Sequence, residues 1–94
     1  MPQPVKGDLM QRILDACLFA ARAHADQRRK GAAAEPYVNH VIEVAARVAA
    51  SPDACADTVV AALLHDVVED AQVPEATLRD RFGPAVTAMV MEVT

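Results

Sequence analysis

Apolar residues recur at helical spacing along the chain, and no stretch alternates between apolar and polar positions like a β-strand bounded by hairpin turns. The first helix is predicted to begin with Asp8 as its N-cap and to end near residues 28–30, where Gly31 can supply a left-handed cap. Its predicted apolar face contains Leu9, Ile13, Leu14, Cys17, Ala20 and Ala21. A loop is predicted over residues 32–36, because proline disfavours a helical conformation in the residue before it.

The next two helices carry the most apolar segments. The second is predicted to begin around Val38 or Asn39 and to end at residues 51–52, a Ser-Pro pair. The residues expected to face inward are Val41, Ile42, Ala45, Val48 and Ala49. The third helix is predicted over residues 54–70. Because it is hydrophobic nearly all round, we expect it to be the central helix of the bundle.

The last third of the chain predicts two short helices. One contains Leu78 and Phe82 and stops at Gly83, and Pro84 suits the first position of the other. With 94 residues the chain is long enough for one domain. Hydrophobic residues make up 53%, many of them alanine, and aromatic residues only 3%, which favours closely packed helices over a β-sandwich. The predicted fold class is therefore all-α, a bundle of about five helices.

Charge and cysteine usage exclude several classes of protein. The net charge of −4 argues against a general nucleic-acid binder, and no apolar run approaches the roughly 20 residues of a membrane span. The two cysteines, Cys17 and Cys55, lie among small apolar residues in a helical pattern. We therefore expect two reduced, buried thiols in a cytoplasmic protein without nucleic-acid or membrane partners.

Acidic and imidazole side chains cluster at the far end of the predicted third helix. His65 and Asp66 are adjacent, and Glu69 and Asp70 follow them by about one helical turn. Carboxylates placed this close together repel each other unless a cation is bound among them, and a divalent metal accepts both imidazole and carboxylate ligands. The alternative is a solvated helix end. His40, at the start of the preceding helix, favours the metal hypothesis because antiparallel packing would bring it to His65.

These residues stand in a recognisable order. The segments are QRRK at 27–30, PYVNH at 36–40, AALLHDVVED at 61–70, Phe82-Gly83 and EVT at 92–94. The sequence resembles the HD-domain (p)ppGpp hydrolases of the RelA/SpoT family, most closely their small stand-alone alarmone hydrolases. The resemblance implies an HD-domain helical bundle acting in the stringent response. It also implies that residues 1–94 form the N-terminal portion of the HD phosphohydrolase domain, with its C-terminal helices missing.

The resemblance also implies a metal centre. Its ligands would be His40, His65 and Asp66, and the metal would be Mn²⁺. The family's last ligand is an aspartate on a later helix, which would lie beyond Thr94. Diphosphate hydrolysis requires a Lewis acid, an activated water and cations that balance phosphate charge, so such a centre suits the chemistry.

Further roles follow from the same resemblance. Glu69 and Asp70 would be the catalytic acids that orient and deprotonate the attacking water. Arg29 would pack on the guanine of the guanosine polyphosphate, Lys30 would lie near a phosphate, and Tyr37 would approach the ribose.

Three functional hypotheses remain open at the level of sequence. The first is hydrolysis of (p)ppGpp to GDP or GTP and pyrophosphate, and the second is an HD phosphohydrolase acting on another nucleotide. The third is a catalytically incomplete helical interaction module, whose Val86, Val90 or Val93 would be exposed and would support a homo-oligomer or a partner chain. We assign His24 a structural role, because it lies within the predicted first helix and belongs to no metal-binding motif.

Overall fold

The computed structural model describes residues 6–28 and 35–92. Within these two ranges the chain forms six helical segments and no strand beyond an isolated antiparallel bridge between Arg28 and Pro36. The segments are α1 (Lys6–Ala23), α2 (Tyr37–Ala49), α3 (Ala56–Leu64), α4 (Val67–Asp70), α5 (Glu75–Phe82) and α6 (Pro84–Glu92). The all-α prediction is confirmed.

Helix α1 differs from its prediction at both ends. It already includes Lys6, so Asp8 lies inside the helix rather than at its N-cap. At the other end it stops at Ala23, well before residues 28–30. The cap predicted at Gly31 lies outside the described residues.

The early end of α1 has a cause in the backbone. The N–H of Gln27 donates to the carbonyl of His24 at 2.9 Å, three residues back instead of four, which tightens the chain into a turn. The carbonyl of Gln27 then accepts the N–H of Tyr37, also at 2.9 Å. This pairing brings the end of the turn beside the start of α2, a position that a continued helix would not reach.

Helix α3 is the centre of the bundle, as predicted, and packs against α1, α2 and α6. Four of its nine residues are buried: Val60, Ala61, Leu63 and Leu64. The other buried apolar residues are Ala16, Ala20, Val41, Ala45, Val67, Leu78, Val86 and Val90. Because alanines supply much of this core on α1 and α2, the helices can approach one another closely.

The single helix predicted over residues 54–70 is wrong, because the chain breaks after Leu64. His65 and Asp66 form a turn, and α4 begins at Val67. The ring Nδ1 of His65 lies 2.6 Å from the carbonyl oxygen of Ala62, to which the His65 backbone N–H also points at 3.5 Å. A side chain that competes for a backbone acceptor weakens helical continuation, and the break follows at this position.

The two cysteines are less buried than predicted. Cys17 is half-buried, and Cys55 is exposed at the N-cap of α3. There Thr58 Oγ1 accepts the Cys55 N–H at 3.0 Å, and hydrogen bonds from Thr58 lower the pKa of the Cys55 thiol. Cys55 is therefore a helix cap rather than a core residue.

The C-terminal helices follow the prediction in order and bounds. Helix α5 ends at Phe82, the next residue is Gly83, whose φ of 90° favours glycine, and α6 begins with Pro84. The expected exposure of Val86 and Val90 is wrong, because α6 packs on α3 and α5 and buries both side chains. Val93 lies outside the described residues.

Apolar exposure occurs instead on α1 and α2. The exposed large apolar side chains are Met10, Leu14, Leu18 and Ile42. Leu14 and Ile42 were predicted to face inward, and this is wrong. The buried side of α1 is formed by Ala16 and Ala20, and that of α2 by Val41 and Ala45. Within the described ranges, no helix combines the length and apolar character that crossing a bilayer requires.

The central position of α3 predicts a large stability difference between two Leu→Ala variants. Leu64→Ala, at a fully buried site, should lower the free energy of unfolding by about 2–5 kcal/mol. Leu14→Ala, at a site that is 62% exposed, should change it by less than about 1 kcal/mol. Urea denaturation followed by circular dichroism measures both, and equal losses would contradict the assigned core.

Candidate metal centre

Three side chains with metal-binding atoms meet where α2 begins and α3 ends. His40 lies in the first turn of α2, and His65 and Asp66 form the break between α3 and α4. One potential ligand atom from each residue lies within 4.8 Å of the other two. The packing of α2 on α3 thus brings His40 to the His-Asp pair, the juxtaposition on which the metal hypothesis depends.

The hydrogen bond made by Nδ1 of His65 leaves the other ring nitrogen, Nε2, directed toward Asp66. Nδ1 faces the carbonyl of Ala62, which can only accept, so Nδ1 carries the hydrogen. The lone pair of Nε2 then faces Oδ2 of Asp66 at 2.9 Å. Two acceptor atoms at this distance need a positive centre between them, either a second ring proton or a metal ion. The three residues therefore fit a divalent metal.

Tyr37 contacts the same carboxylate oxygen of Asp66 that His65 faces. Its hydroxyl donates to Oδ2 of Asp66 at 2.7 Å. Burial of the ring raises the pKa of the Tyr37 hydroxyl, and the hydrogen bond to Asp66 raises it further. The hydroxyl consequently stays protonated at neutral pH and acts as a donor that fixes Asp66. The predicted approach of Tyr37 to a ribose stays a prediction.

The two acids of α4 are placed differently. The carboxylate of Asp70 faces the Tyr37 hydroxyl and contributes to the rise in its pKa, which puts Asp70 at the edge of the cluster. The carboxylate of Glu69 is exposed and makes no hydrogen bond or ion pair among the described residues. Their roles as catalytic acids stay predictions, and the position of Asp70 supports its role more directly.

The basic residues predicted to bind the nucleotide, Arg29 and Lys30, lie outside the described residues. Their neighbour Arg28 is exposed and bridges to Pro36, beside Tyr37.

Two residues next to the site, Gln27 and His24, were not predicted from the sequence to belong to it. Gln27 belonged to a basic motif without a function of its own, and His24 was assigned a structural role. In the structure they are hydrogen-bonded to each other and lie against Tyr37 and Asp70. The signal that could have found them is weak: two polar residues three positions apart at the end of an apolar helix.

Comparison with known proteins now identifies the family. Residues 16–94 match the HD domain. The chain belongs to the HD-domain family. This membership accounts for the His-Asp pair at the centre of the cluster and indicates a divalent metal there.

Curated relatives align with nearly the whole chain. It is 43% identical over 90 residues to the human guanosine-3′,5′-bis(diphosphate) 3′-pyrophosphohydrolase MESH1, covering 94% of this chain and 50% of that protein. It is 37% identical over 84 residues to a guanosine-3′,5′-bis(diphosphate) 3′-pyrophosphohydrolase of Aquifex aeolicus, covering 89% of this chain and 12% of that protein. The chain spans about half the length of the MESH1 proteins it matches.

A solved structure shares the fold. It is described as a metazoan ortholog of SpoT that hydrolyzes ppGpp and plays a role in starvation responses. The TM-score is 0.85 at 36% sequence identity, and the match covers 100% of this chain and 51% of that one. The HD-domain bundle predicted from the sequence is confirmed.

The cluster predicts stabilisation by divalent cations. A cation that binds only the folded chain should raise the midpoint of thermal unfolding, with a gain of about 2.7 kcal/mol at a concentration of 100 Kd. Differential scanning fluorimetry with Mn²⁺ measures it. His65→Ala and Asp66→Ala should abolish the shift, whereas Asp80→Asn, at an exposed position of α5, should preserve it. A flat midpoint across the Mn²⁺ range would show that no preformed site exists.

Proposed function

We propose that this chain acts in metal-dependent hydrolysis of (p)ppGpp, releasing pyrophosphate from the 3′ position and leaving GDP or GTP. We further propose that residues 1–94 are the N-terminal portion of the HD phosphohydrolase domain that performs it. The observation that carries the proposal is the convergence of His40, His65 and Asp66 in an HD-domain chain. Its similarity to 3′-pyrophosphohydrolases along nearly its whole length supports the choice of substrate.

The proposed roles follow the chemistry of diphosphate hydrolysis. His40, His65 and Asp66 hold a divalent ion, which we take to be Mn²⁺, and the family's fourth ligand would come from an aspartate beyond Thr94. When bound, the ion supplies a Lewis acid for a phosphoryl oxygen and lowers the pKa of water. Tyr37 keeps Asp66 oriented through its 2.7 Å hydrogen bond.

Proton transfer and substrate binding fall to neighbouring residues. We assign Asp70, together with Glu69, to orienting the attacking water and accepting its proton, since a positioned carboxylate serves as a general base. We assign Arg29 to the guanine and Lys30 to phosphate, with Tyr37 beside the ribose. A local run of three cations at residues 28–30 lets a chain with a net charge of −4 bind a polyanion.

The hydrolase proposal predicts metal-dependent pyrophosphate release. The chain incubated with ppGpp and Mn²⁺ should release pyrophosphate, measured by a coupled colorimetric assay and by chromatography of the nucleotide. Asp70→Asn should lower the rate by about 10²- to 10⁴-fold, the usual contribution of a general base. Asp66→Ala should remove activity together with Mn²⁺ binding, and Asp80→Asn should retain both. Equal rates in the parent and Asp66→Ala would reject the site.

Comparison of substrates separates the alternatives. Faster turnover of GTP or of deoxynucleoside triphosphates than of ppGpp would favour an HD phosphohydrolase acting on another nucleotide. Mn²⁺ binding without hydrolysis of any nucleotide would favour the interaction module. If Arg29→Ala leaves ppGpp turnover unchanged, the assignment of Arg29 to the guanine is wrong.

We propose a cytoplasmic location and a role in the stringent response. The two free cysteines support a reducing compartment. The role of the structural neighbour in starvation responses supports this physiological setting.

We also propose that the chain forms a homo-oligomer through the exposed apolar side of α1. Met10, Leu14 and Leu18 are spaced by four residues and are 51%, 62% and 50% exposed, so they lie along one side of the helix. A continuous apolar stripe of this kind is typical of an interaction surface.

This surface predicts a charge-sensitive association. Leu14→Glu should convert the oligomer to a monomer, because a carboxylate buried in an apolar contact is strongly unfavourable. Size-exclusion chromatography with light scattering measures the mass, and Ala76→Glu, at an exposed position of α5, is the matched control. A parent that stays monomeric at high concentration contradicts the proposal.

A further inference from the structure

Gln27 joins three separate parts of the fold through its hydrogen bonds. Its side-chain Oε1 lies 2.9 Å from Nδ1 of His24, just past the end of α1. Its Nε2 donates to the backbone carbonyl of Asp70 at 2.7 Å, at the end of α4. Its own carbonyl accepts the N–H of Tyr37, the first residue of α2. Gln27 therefore connects the turn after α1, the end of α4 and the start of α2.

The direction of these hydrogen bonds is fixed by chemistry. A backbone carbonyl only accepts, so the group of Gln27 that faces Asp70 must be the N–H₂ of its amide. The amide oxygen consequently faces His24, and Nδ1 of His24 must carry the hydrogen. The Asp70 carbonyl thus sets the orientation of the Gln27 amide, and the Nδ1 hydrogen of His24 holds the amide oxygen in that orientation.

His24 is retained at an energetic cost that a purely structural residue would avoid. It is 1% exposed, and its Nε2 has no hydrogen-bond partner among the described residues. A buried polar atom without a partner destabilises a fold, and a leucine of similar size would fill the space without that cost. What His24 supplies instead is the Nδ1 hydrogen for Gln27 and a flat ring against Tyr37, with ring centroids 5.0 Å apart.

Two chains of contacts lead from Gln27 to the cluster, one through Tyr37 to Asp66 and one through the end of α4 to Asp70. Tyr37, held by its N–H and by the ring of His24, donates to Asp66. The second chain of contacts reaches α4, a single turn of four residues. The carbonyl of Asp70 at its end has no partner within the helix. The Gln27 amide satisfies that carbonyl and so anchors the backbone that carries the Asp70 carboxylate.

We propose that Gln27, oriented by His24, is a positioning residue of the metal centre, which places Asp66 through Tyr37 and places Asp70 through the end of α4. The role rests on the proposed function only in that Asp66 is taken as a metal ligand and Asp70 as an acid.

The chain offers a direct optical readout of this network. It contains one tyrosine and no tryptophan, so its intrinsic ultraviolet fluorescence reports on Tyr37 alone. A phenol hydrogen-bonded to a carboxylate is quenched, because the excited hydroxyl passes its proton to the acceptor. Loss of the bond between Tyr37 and Asp66 should therefore raise the fluorescence.

The first test compares two glutamine variants. Gln27→Met keeps the length of the side chain but removes both hydrogen bonds, and Gln11→Met removes an exposed hydrogen bond to Asp15 on α1 as a matched control. In Gln27→Met we expect Mn²⁺ affinity, measured by isothermal titration calorimetry, to fall about 10- to 100-fold and the fluorescence to rise. Gln11→Met should change neither.

The second test uses His24 to separate positioning from stability. His24→Leu removes the unpartnered atom and also the hydrogen bond to the half-buried Gln27 amide, and these effects on stability oppose each other. The thermal midpoint without metal should therefore stay close to that of the parent, while Mn²⁺ affinity falls and fluorescence increases. His24→Asn leaves a gap but keeps an N–H near the position of Nδ1, so it should be less stable and yet retain more Mn²⁺ affinity than His24→Leu. A residue with only a structural role would show affinity following stability.

The result that overturns the proposal is independent of catalysis. If His24→Leu and Gln27→Met bind Mn²⁺ within about twofold of the parent with unchanged fluorescence, Gln27 does not position the centre. If Gln27→Met does not fold, the two His24 variants decide by the same criteria. A parent that binds Mn²⁺ but hydrolyses no nucleotide contradicts the proposed function and leaves the positioning role intact.

Discussion

The burial of α3 is the constraint on which the metal centre depends. α3 packs against α1, α2 and α6, and Val60 and Leu64 are removed from solvent altogether. A helix held on three sides cannot rotate or slide without opening the core, so the residues at its end have a fixed position. His65 and Asp66 follow the end of α3, and their side chains are 24% and 22% exposed. This partial burial strengthens the attraction between these side chains and a cation, and the exposed fraction leaves room for a ligand.

The hydrogen bonds around the centre share one direction. Tyr37 donates to the Asp66 carboxylate, Gln27 donates to the carbonyl of Asp70, and His65 donates through Nδ1 to Ala62. Of these three donors, only the Tyr37 hydroxyl contacts a carboxylate, and it stabilises the charge of Asp66 directly. The other two bonds hold backbone carbonyls and thereby fix the end of α4 and the ring of His65, so less rearrangement accompanies metal binding.

The sequence predicted the elements that depend on apolar periodicity. The central helix was recognisable because it is hydrophobic nearly all round, and Gly83-Pro84 marked the boundary of α5 and α6. The break at His65 was not recognisable, because it arises from a side chain competing for the Ala62 carbonyl, which leaves no trace in the spacing of apolar residues. The burial of Val86 was missed because α6 is apolar on several sides and its partner helices cannot be read from its own pattern.

The residues of the candidate site also fall into those that the sequence predicted and those that it did not. His40, His65 and Asp66 could be found because family motifs name them and helix packing brings them together. Gln27 could not be found, because its contact with Asp70 joins positions 43 residues apart and involves a backbone atom that any residue would offer. Sequence reasoning finds the groups that touch a ligand more readily than the groups that hold them in place.

The alanines of α1 carry a consequence for how the protein tolerates change. Ala16 and Ala20 are both fully buried in the core that α1 shares with α3, so the separation of the two helices is set by methyl groups. Because Ala20 is fully buried, an added methylene there would have to be accommodated within the packed core and would push the helix outward. His24 follows Ala20 by one turn, and its backbone N–H donates to the carbonyl of Ala20. A displacement of α1 at Ala20 would therefore also displace His24. A small enlargement of a core side chain on α1 would thereby alter the position of His24 and the hydrogen bond that it makes to Gln27.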